Sequence, residues 1–299
     1  MNAQIKPHEL VIFDYLSKRK QLPQQEKSTY RKIERGYQGE KLLESYVQQL
    51  SGDLIIIHDL WLTHHGRTFQ LDLLLFYNDT IYLYEVKNFS GDFFYDNEKF
   101  FRETHVEIDD PLIQLRRSES LFRQLLADLG YQFTIKSAVV FVNPECTIYS
   151  KDKNPRLILP TQLNRYFKQF PSHTSLSPTY HTLYQQLNTL KMPHSPFLNS
   201  ANYSYDQLLK GIPCTYCCHF LDQVEGKILI CSACGKMESV VSAVLRNLKE
   251  LMVLFPEKQI TVELMKDWCD LPLSAQRMRY ILKKHLKVEG NTKGAYYIL

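Results

Sequence analysis

Phe69-Gln-Leu-Asp-Leu-Leu-Leu-Phe-Tyr-Asn-Asp-Thr-Ile-Tyr-Leu-Tyr-Glu-Val-Lys-Asn88 decides how this chain folds. It reads as two apolar strands joined at Asn78-Asp79, each rich in β-branched and aromatic residues. Charged side chains interrupt the apolar runs at Asp72, Glu85 and Lys87. A two-residue turn at Asn78-Asp79 pairs Tyr77 with Thr80, and counting outward sets Asp72 opposite Glu85. Directly opposed residues have Cβ atoms about 4.5–5.5 Å apart. Because strand side chains alternate, Glu85 and Lys87 share a face. Like charges opposed on a sheet repel, and buried carboxylates must be paired or bind metal. A hard divalent ion such as Mg²⁺ or Mn²⁺ answers that repulsion. The plainer alternative is that Lys87 simply bridges two partly exposed carboxylates.

A third carboxylate lies upstream. Tyr30–Leu50 reads as a helix, with Leu43, Val47 and Leu50 at helical spacing and Leu42 and Tyr46 widening the stripe. Glu40 precedes this stripe, on the inward side near the helix start. Gly36 and Gly39 are positions where backbone could approach closely.

Gly-Tyr-Gln-Gly-Glu (36–40), Gln-Leu-Asp (70–72), Tyr-Glu-Val-Lys-Asn (84–88) and Asp-Pro-Leu-Ile-Gln (110–114) together resemble the NERD, or nuclease-related, domain, which is similar to the PD-(D/E)xK nucleases. The likeness covers roughly residues 34–150. It implies an α/β, restriction-endonuclease-like core with a mixed central sheet. It also implies site roles: Glu40 as the helical acid, Asp72 and Glu85 as the metal-binding pair, Lys87 as the catalytic lysine and Gln114 as an accessory residue. Leu71 stands where the superfamily's name places a proline.

Strands are expected at about 54–62, 69–77, 80–88 and 135–142, with a helix over about 111–129. The run Lys136-Ser-Ala-Val-Val-Phe-Val142 is continuously apolar after its first residues, as in a strand covered on both faces. A strand–helix–strand order permits a parallel crossover. Residues 95–107 read as one more hairpin outside the core, its aromatics packing on the sheet rather than meeting substrate. His58, His64, His65 and His105 read as ordinary loop and strand residues, since no pair has metal-ligand spacing joined to a Cys or carboxylate framework. Arg67 is either a phosphate contact or a surface ion pair.

A second signal is Pro213-Cys-Thr-Tyr-Cys-Cys-His-Phe-Leu-Asp-Gln-Val-Glu-Gly-Lys-Ile-Leu-Ile-Cys-Ser-Ala-Cys-Gly235. Two Cys-x-x-Cys pairs suit tetrahedral Zn²⁺, and the segment resembles a zinc ribbon. Cys214, Cys217, Cys231 and Cys234 are the expected ligands, with Cys218 and His219 rivals for one position. The last sixty residues suggest a helix-turn-helix followed by a hairpin, a winged-helix-like pattern. Helices are expected at 248–255, 261–269 capped by Thr261, and 275–286 capped by Ser274; the hairpin turns between Gly290 and Gly294. Residues 240–299 hold ten Lys/Arg against six Asp/Glu, an excess equal to the whole chain's net charge of +4. Arg277, Arg279, Lys283, Lys284 and Lys287 lie on or just after the last helix, where phosphates are gripped in such proteins. A solvated basic helix in a protein-interaction module is the alternative.

The 299 residues suffice for two or three domains. The expected division is an N-terminal extension (1–29), a NERD domain (30–170), a connector with short helices (171–210), the ribbon (211–238) and the winged-helix-like unit (239–299). No apolar run reaches the roughly 18 residues of a membrane span, and the start does not read as a signal peptide, so a cytoplasmic location is expected. Two functions compete: a divalent-metal-dependent nuclease brought to DNA by its C-terminal modules, and a non-catalytic DNA-binding or regulatory protein that keeps the fold as a scaffold.

Overall fold

A computed structural model of the protein describes residues 4–171, 175–193, 201–290 and 295–298. The chain divides into two compact units, Met1–Pro7 with Tyr30–Leu198, and His8–Thr29 with Asn199–Leu299. It begins with helices α1 (His8–Arg19) and α2 (Gln24–Val47), so the second starts earlier and ends sooner than the apolar stripe implied.

The first unit is mixed α/β. Strands β1 (Leu54–His64), β2 (Arg67–Tyr77) and β3 (Thr80–Lys87) form an antiparallel meander. Asn78 and Asp79 both take left-handed backbone (φ 48° and 51°), making the tight turn that right-twisted strands favour. Tyr77 pairs with Thr80, so the register is the one counted from the sequence. Next come β4 (Gly91–Asp96), β5 (Lys99–Arg102), β6 (Glu107–Ile108), α3 (Pro111–Asp128), β7 (Thr134–Phe141), β8 (Cys146–Ser150), β9 (Leu157–Ile158), α4 (Leu163–Phe167) and α5 (Pro178–Leu190). Helix α3 starts sharply because Pro111 follows Asp110, whose carboxylate accepts the Leu112 N–H. It carries the chain across to β7, which pairs with β3 in parallel.

The central sheet runs β1-β2-β3-β7-β9. One face is buried by α3 and α5 through residues such as Leu115, Phe122 and Leu183; the other is covered by Leu43 and Val47 of α2 and Leu163 and Phe167 of α4. Strand β7 serves both faces, Val139 and Phe141 on one and Ala138 and Val140 on the other, which is why it reads as unbroken apolar sequence. The hairpin expected at 95–107 is present as β4–β5, and Phe100 packs into the main core as its aromatics were expected to; it is not isolated, because it belongs to a second sheet, β6-β5-β4-β8, in which β4 pairs in parallel with β8.

The second unit contains α1, a small sheet of β10 (Gln223–Glu225), β11 (Ile228–Ile230) and β12 (Met237–Ser239), then α6 (Val240–Leu254), α7 (Val262–Cys269) and α8 (Ala275–His285). Strands β13 (Lys287–Glu289) and β14 (Tyr296–Ile298) pair antiparallel, and the expected turn at 291–294 lies outside the described residues. Helix α6 starts eight residues before the expected 248 because Ser239 caps it through the Ser242 N–H. Thr261 and Ser274 cap α7 and α8 as their sequences implied. The centre of this unit is polar. Arg19 is fully buried, 2.5 Å from Glu250, bonded to Asn247, and stacked over Trp268 at 3.8 Å. Among the described residues, no helix is long and apolar enough to cross a membrane.

Candidate functional site

The site grows from an interruption in the meander. On β1, Ile55 and Ile57 pack into the cluster covered by α3 and α5, but beyond Asp59 it is Leu60 and Leu62 that do. On β2, Leu74 and Phe76 face α3, but before Asp72 it is Leu71 and Phe69. Both strands therefore change phase at the same level, where Asp59 takes a left-handed φ of 46°. The β1–β2 ladder skips Asp59 and Asp72, and the β2–β3 ladder stops at Leu73–Tyr84. The next donor of β3, the Val86 N–H, is taken instead by Asp72 Oδ2 at 2.8 Å. Asp72 thus replaces a missing ladder bond with its side chain. It remains beside Glu85; the two are only 8% and 3% exposed.

Glu40 is brought in by a close helix–strand approach. A Cβ on Gly39 would meet Asn88 Cβ at 2.6 Å, so only glycine lets α2 lie this near the end of β3. Asn88 Nδ2 donates to the Arg35 carbonyl at 2.8 Å and fixes the approach. Gly36, expected to play the same part, faces open space. Gln4 donates its amide to Glu40 and its backbone N–H to Glu44. Lys87 Nζ lies 2.6 Å from Glu85 Oε1 and 2.9 Å from Gln114 Oε1, so β3 and the first turn of α3 meet at the amine. Lys87 ties to Glu85 rather than spanning both carboxylates, which departs from the plain bridging arrangement.

Burial and mutual repulsion disfavour the ionised forms of these groups. Burial, then repulsion from Asp72, pushes Glu85 up to about 8 despite the opposing pull of Lys87. Burial also raises Asp72, against the stabilising pull of Lys87 and the Val86 N–H. Glu40 is raised well above the usual range, by burial first and then by Asp72 and Asp59. For Glu85 alone the rise is on the order of 5 kcal/mol against the ionised form. Whole domains are stable by only about 5–15 kcal/mol, so a penalty of this size on the ionised form is a large share of what a fold can bear. Half-buried Asp59, held by Gln70 Nε2 at 2.8 Å, is the neighbour the sequence did not expose. Its only signal would have been the paired change of phase in β1 and β2.

Among the described residues, three or more metal-capable donors lie within 4.8 Å of one another only at Cys214, Cys217, Cys231 and Cys234 and at His64, His65 and Asp128. The carboxylates of Glu40, Asp72 and Glu85 do not all close that far. The pair Asp72 and Glu85 offers the one or two carboxylates that Mg²⁺ commonly takes from protein.

The cysteine cluster fits a zinc ribbon. Cys214 and Cys234 sulfurs are 3.7 Å apart and those of Cys217 and Cys231 are 3.5 Å apart. Bonds of ~2.3 Å in tetrahedral geometry place sulfurs about 3.8 Å apart, whereas a disulfide needs ~2.05 Å. The two loops repeat one design. Cys214 N–H bonds the His219 carbonyl as Cys231 N–H bonds that of Lys236, and Cys218 and Gly235 both turn the chain with left-handed φ (62° and 71°). Cys218 therefore occupies the turning position of its loop, and neither it nor His219 belongs to the cluster.

On α8, Arg279, Lys283 and Lys284 are exposed, Lys287 follows just beyond, and Tyr280 stands 65% exposed among them. Arg277 differs: its guanidinium donates to the Gly226 carbonyl of the ribbon turn at 2.6 Å.

A helix-backed mixed sheet with acids and a lysine at one strand end defines a nuclease-like core. The family model of the nuclease-related domain, NERD, matches residues 35–142, and this segment is a nuclease-related domain. The match includes Glu40, Asp72, Glu85, Lys87 and Gln114, covers a little over a third of the chain, and leaves the cysteine cluster and α8 outside it. No curated protein and no solved structure matches the chain.

Proposed function

We propose that the protein is a divalent-metal-dependent nuclease that hydrolyses phosphodiester bonds in DNA. One observation carries the reading: two buried carboxylates, Asp72 and Glu85, stand together at a strand end with Lys87 alongside, and both are raised by burial. An all-oxygen donor set of this kind fits Mg²⁺ or Mn²⁺. When bound, such an ion polarises a phosphate and lowers the pKa of a coordinated water. Asp72, aimed by the Val86 N–H, and Glu85, aimed by Lys87, supply the protein's oxygens. Lys87, steered by Gln114, would position the attacking water or stabilise the charge that builds on the phosphate oxygen. Glu40 and Asp59 add negative field that favours a cation. The four cysteines hold a structural Zn²⁺, and the C-terminal helices and hairpin act as a winged-helix-like module whose Arg279, Lys283, Lys284 and Lys287 grip phosphates, with Arg277 in a supporting place.

The test is incubation of the purified protein with plasmid, single-stranded DNA and RNA, in Mg²⁺, Mn²⁺ or EDTA. Cleavage of DNA that needs the metal and falls by about 10² or more in Lys87→Ala and Asp72→Ala is expected. Equal cleavage by the variants removes the assigned site. Binding without cleavage selects the scaffold alternative, and no binding at low salt removes both.

A further inference from the structure

His64 and His65, which read as ordinary strand and loop residues, are drawn together with the last residue of α3. The β1–β2 turn is His65-Gly66, both with left-handed φ (45° and 71°), and His64 pairs with Arg67 across it. This tight turn holds the two imidazoles 4.1 Å apart, centre to centre. Both Nε2 atoms address the same oxygen, Asp128 Oδ2, at 3.5 Å from His64 and 3.1 Å from His65.

Three observations point to a cation there. His64 is 7% exposed, and its Nε2 is buried without a hydrogen bond. A buried polar nitrogen left unpaired is costly, and a metal is one of the few partners that takes a lone pair from it. Asp128 ends α3, whose last turn has no basic residue, so a carboxylate sits at the negative end of the helix dipole. The spacing is also suitable: bonds of about 2.0–2.1 Å in tetrahedral zinc sites set donor atoms roughly 3.3–3.4 Å apart, and the separations of 3.5 Å and 3.1 Å bracket that value.

We propose that His64 Nε2, His65 Nε2 and an Asp128 oxygen bind a borderline divalent transition metal, Zn²⁺ by preference, with water in the fourth position. Nitrogen donors separate this site chemically from the all-oxygen pair Asp72 and Glu85. Position separates it as well, since Gln114 and Asp128 are fourteen residues apart on α3, about 21 Å along the axis. The bound ion would pin the β1–β2 turn to the C-terminal end of α3.

The experiment is Zn²⁺ titration by calorimetry of the full chain, stripped of metal and held in millimolar Mg²⁺ to occupy the oxygen site. Wild-type protein is expected to take two equivalents. His65→Ala and Asp128→Asn, both changed at exposed side chains, should lose the second equivalent or bind it more than about a hundred times more weakly, beyond the roughly 10–100-fold that an outer-shell change costs. Cys217→Ser should weaken the other equivalent and leave this one. A single wild-type equivalent abolished by Cys217→Ser, or unchanged binding in both His65→Ala and Asp128→Asn, overturns the assignment.

Discussion

Replacing each of two glycines in α2 by alanine tests how the helix delivers Glu40. Gly36 and Gly39 lie three residues apart on the same helix, and neither requires left-handed backbone. In a helix interior, Gly→Ala gains about 0.8–1.0 kcal/mol from propensity. Gly36→Ala meets nothing within 4 Å and should realise that gain. Gly39→Ala places a methyl 2.6 Å from Asn88 Cβ, 3.3 Å from Asn88 Cγ and 3.4 Å from Val142 Cγ2. Overpacking of this kind costs typically about 1–3 kcal/mol, so the net change should range from near zero to about 2 kcal/mol of destabilisation. The two variants share the helix gain and should therefore differ by roughly 1–3 kcal/mol, with Gly39→Ala the less stable. Amide hydrogen exchange on peptides from β3 and α2 under increasing urea gives the reading for this unit alone. Gly39→Ala should also weaken any nuclease activity, because the displaced helix carries Glu40. Equal stability of the two variants, or a more stable Gly39→Ala, would refute the idea that the glycine sets the helix–strand distance.

Glu85, raised to about 8, makes metal-free stability depend on pH. A raised carboxyl pKa contributes stability that is fully present below the unfolded value near 4.5 and is lost as pH climbs through about 8. Thermal melts in EDTA should thus fall between those limits, Mn²⁺ should offset the fall because it binds the ionised form, and Glu85→Gln should flatten the EDTA profile. Cys231→Ser should cost the protein one zinc equivalent by elemental analysis, whereas Cys218→Gly should keep the zinc and gain about 1 kcal/mol by relieving a left-handed cysteine. Lys283→Glu with Lys284→Glu should weaken DNA binding and reduce the slope of log affinity against log salt by about 0.9 for each phosphate the helix no longer neutralises; an unchanged slope would remove α8 from the interface.

The register of residues 73–84 was legible because a two-residue turn fixes the pairing outward from Tyr77 and Thr80. Cysteine spacing and the caps at Thr261 and Ser274 were legible for the same reason, since each is a local rule with a local answer. Asp59 was hidden because β1 contributes apolar residues to both faces, so the change of phase that marks it shows only when β1 is aligned with β2. Asp128 joins His64 and His65 only after α3 crosses the sheet, so no spacing along the chain could unite them. That the 95–107 hairpin belongs to a larger sheet was not legible, because the pairing of β4 with β8 spans the whole crossover.

Helix α1 is made long before it is used. Its Arg19 finds Glu250 after 231 further residues have been synthesised. At about 5–20 residues per second, that is a wait on the order of ten to forty-five seconds on the ribosome. During the interval the helix carries an unmatched guanidinium and the apolar side chains of Leu10, Phe13 and Leu16, all of which end up buried. Removing α1 would therefore be felt at α6, and a fragment starting at the ribbon would lack the cation around which its own centre closes.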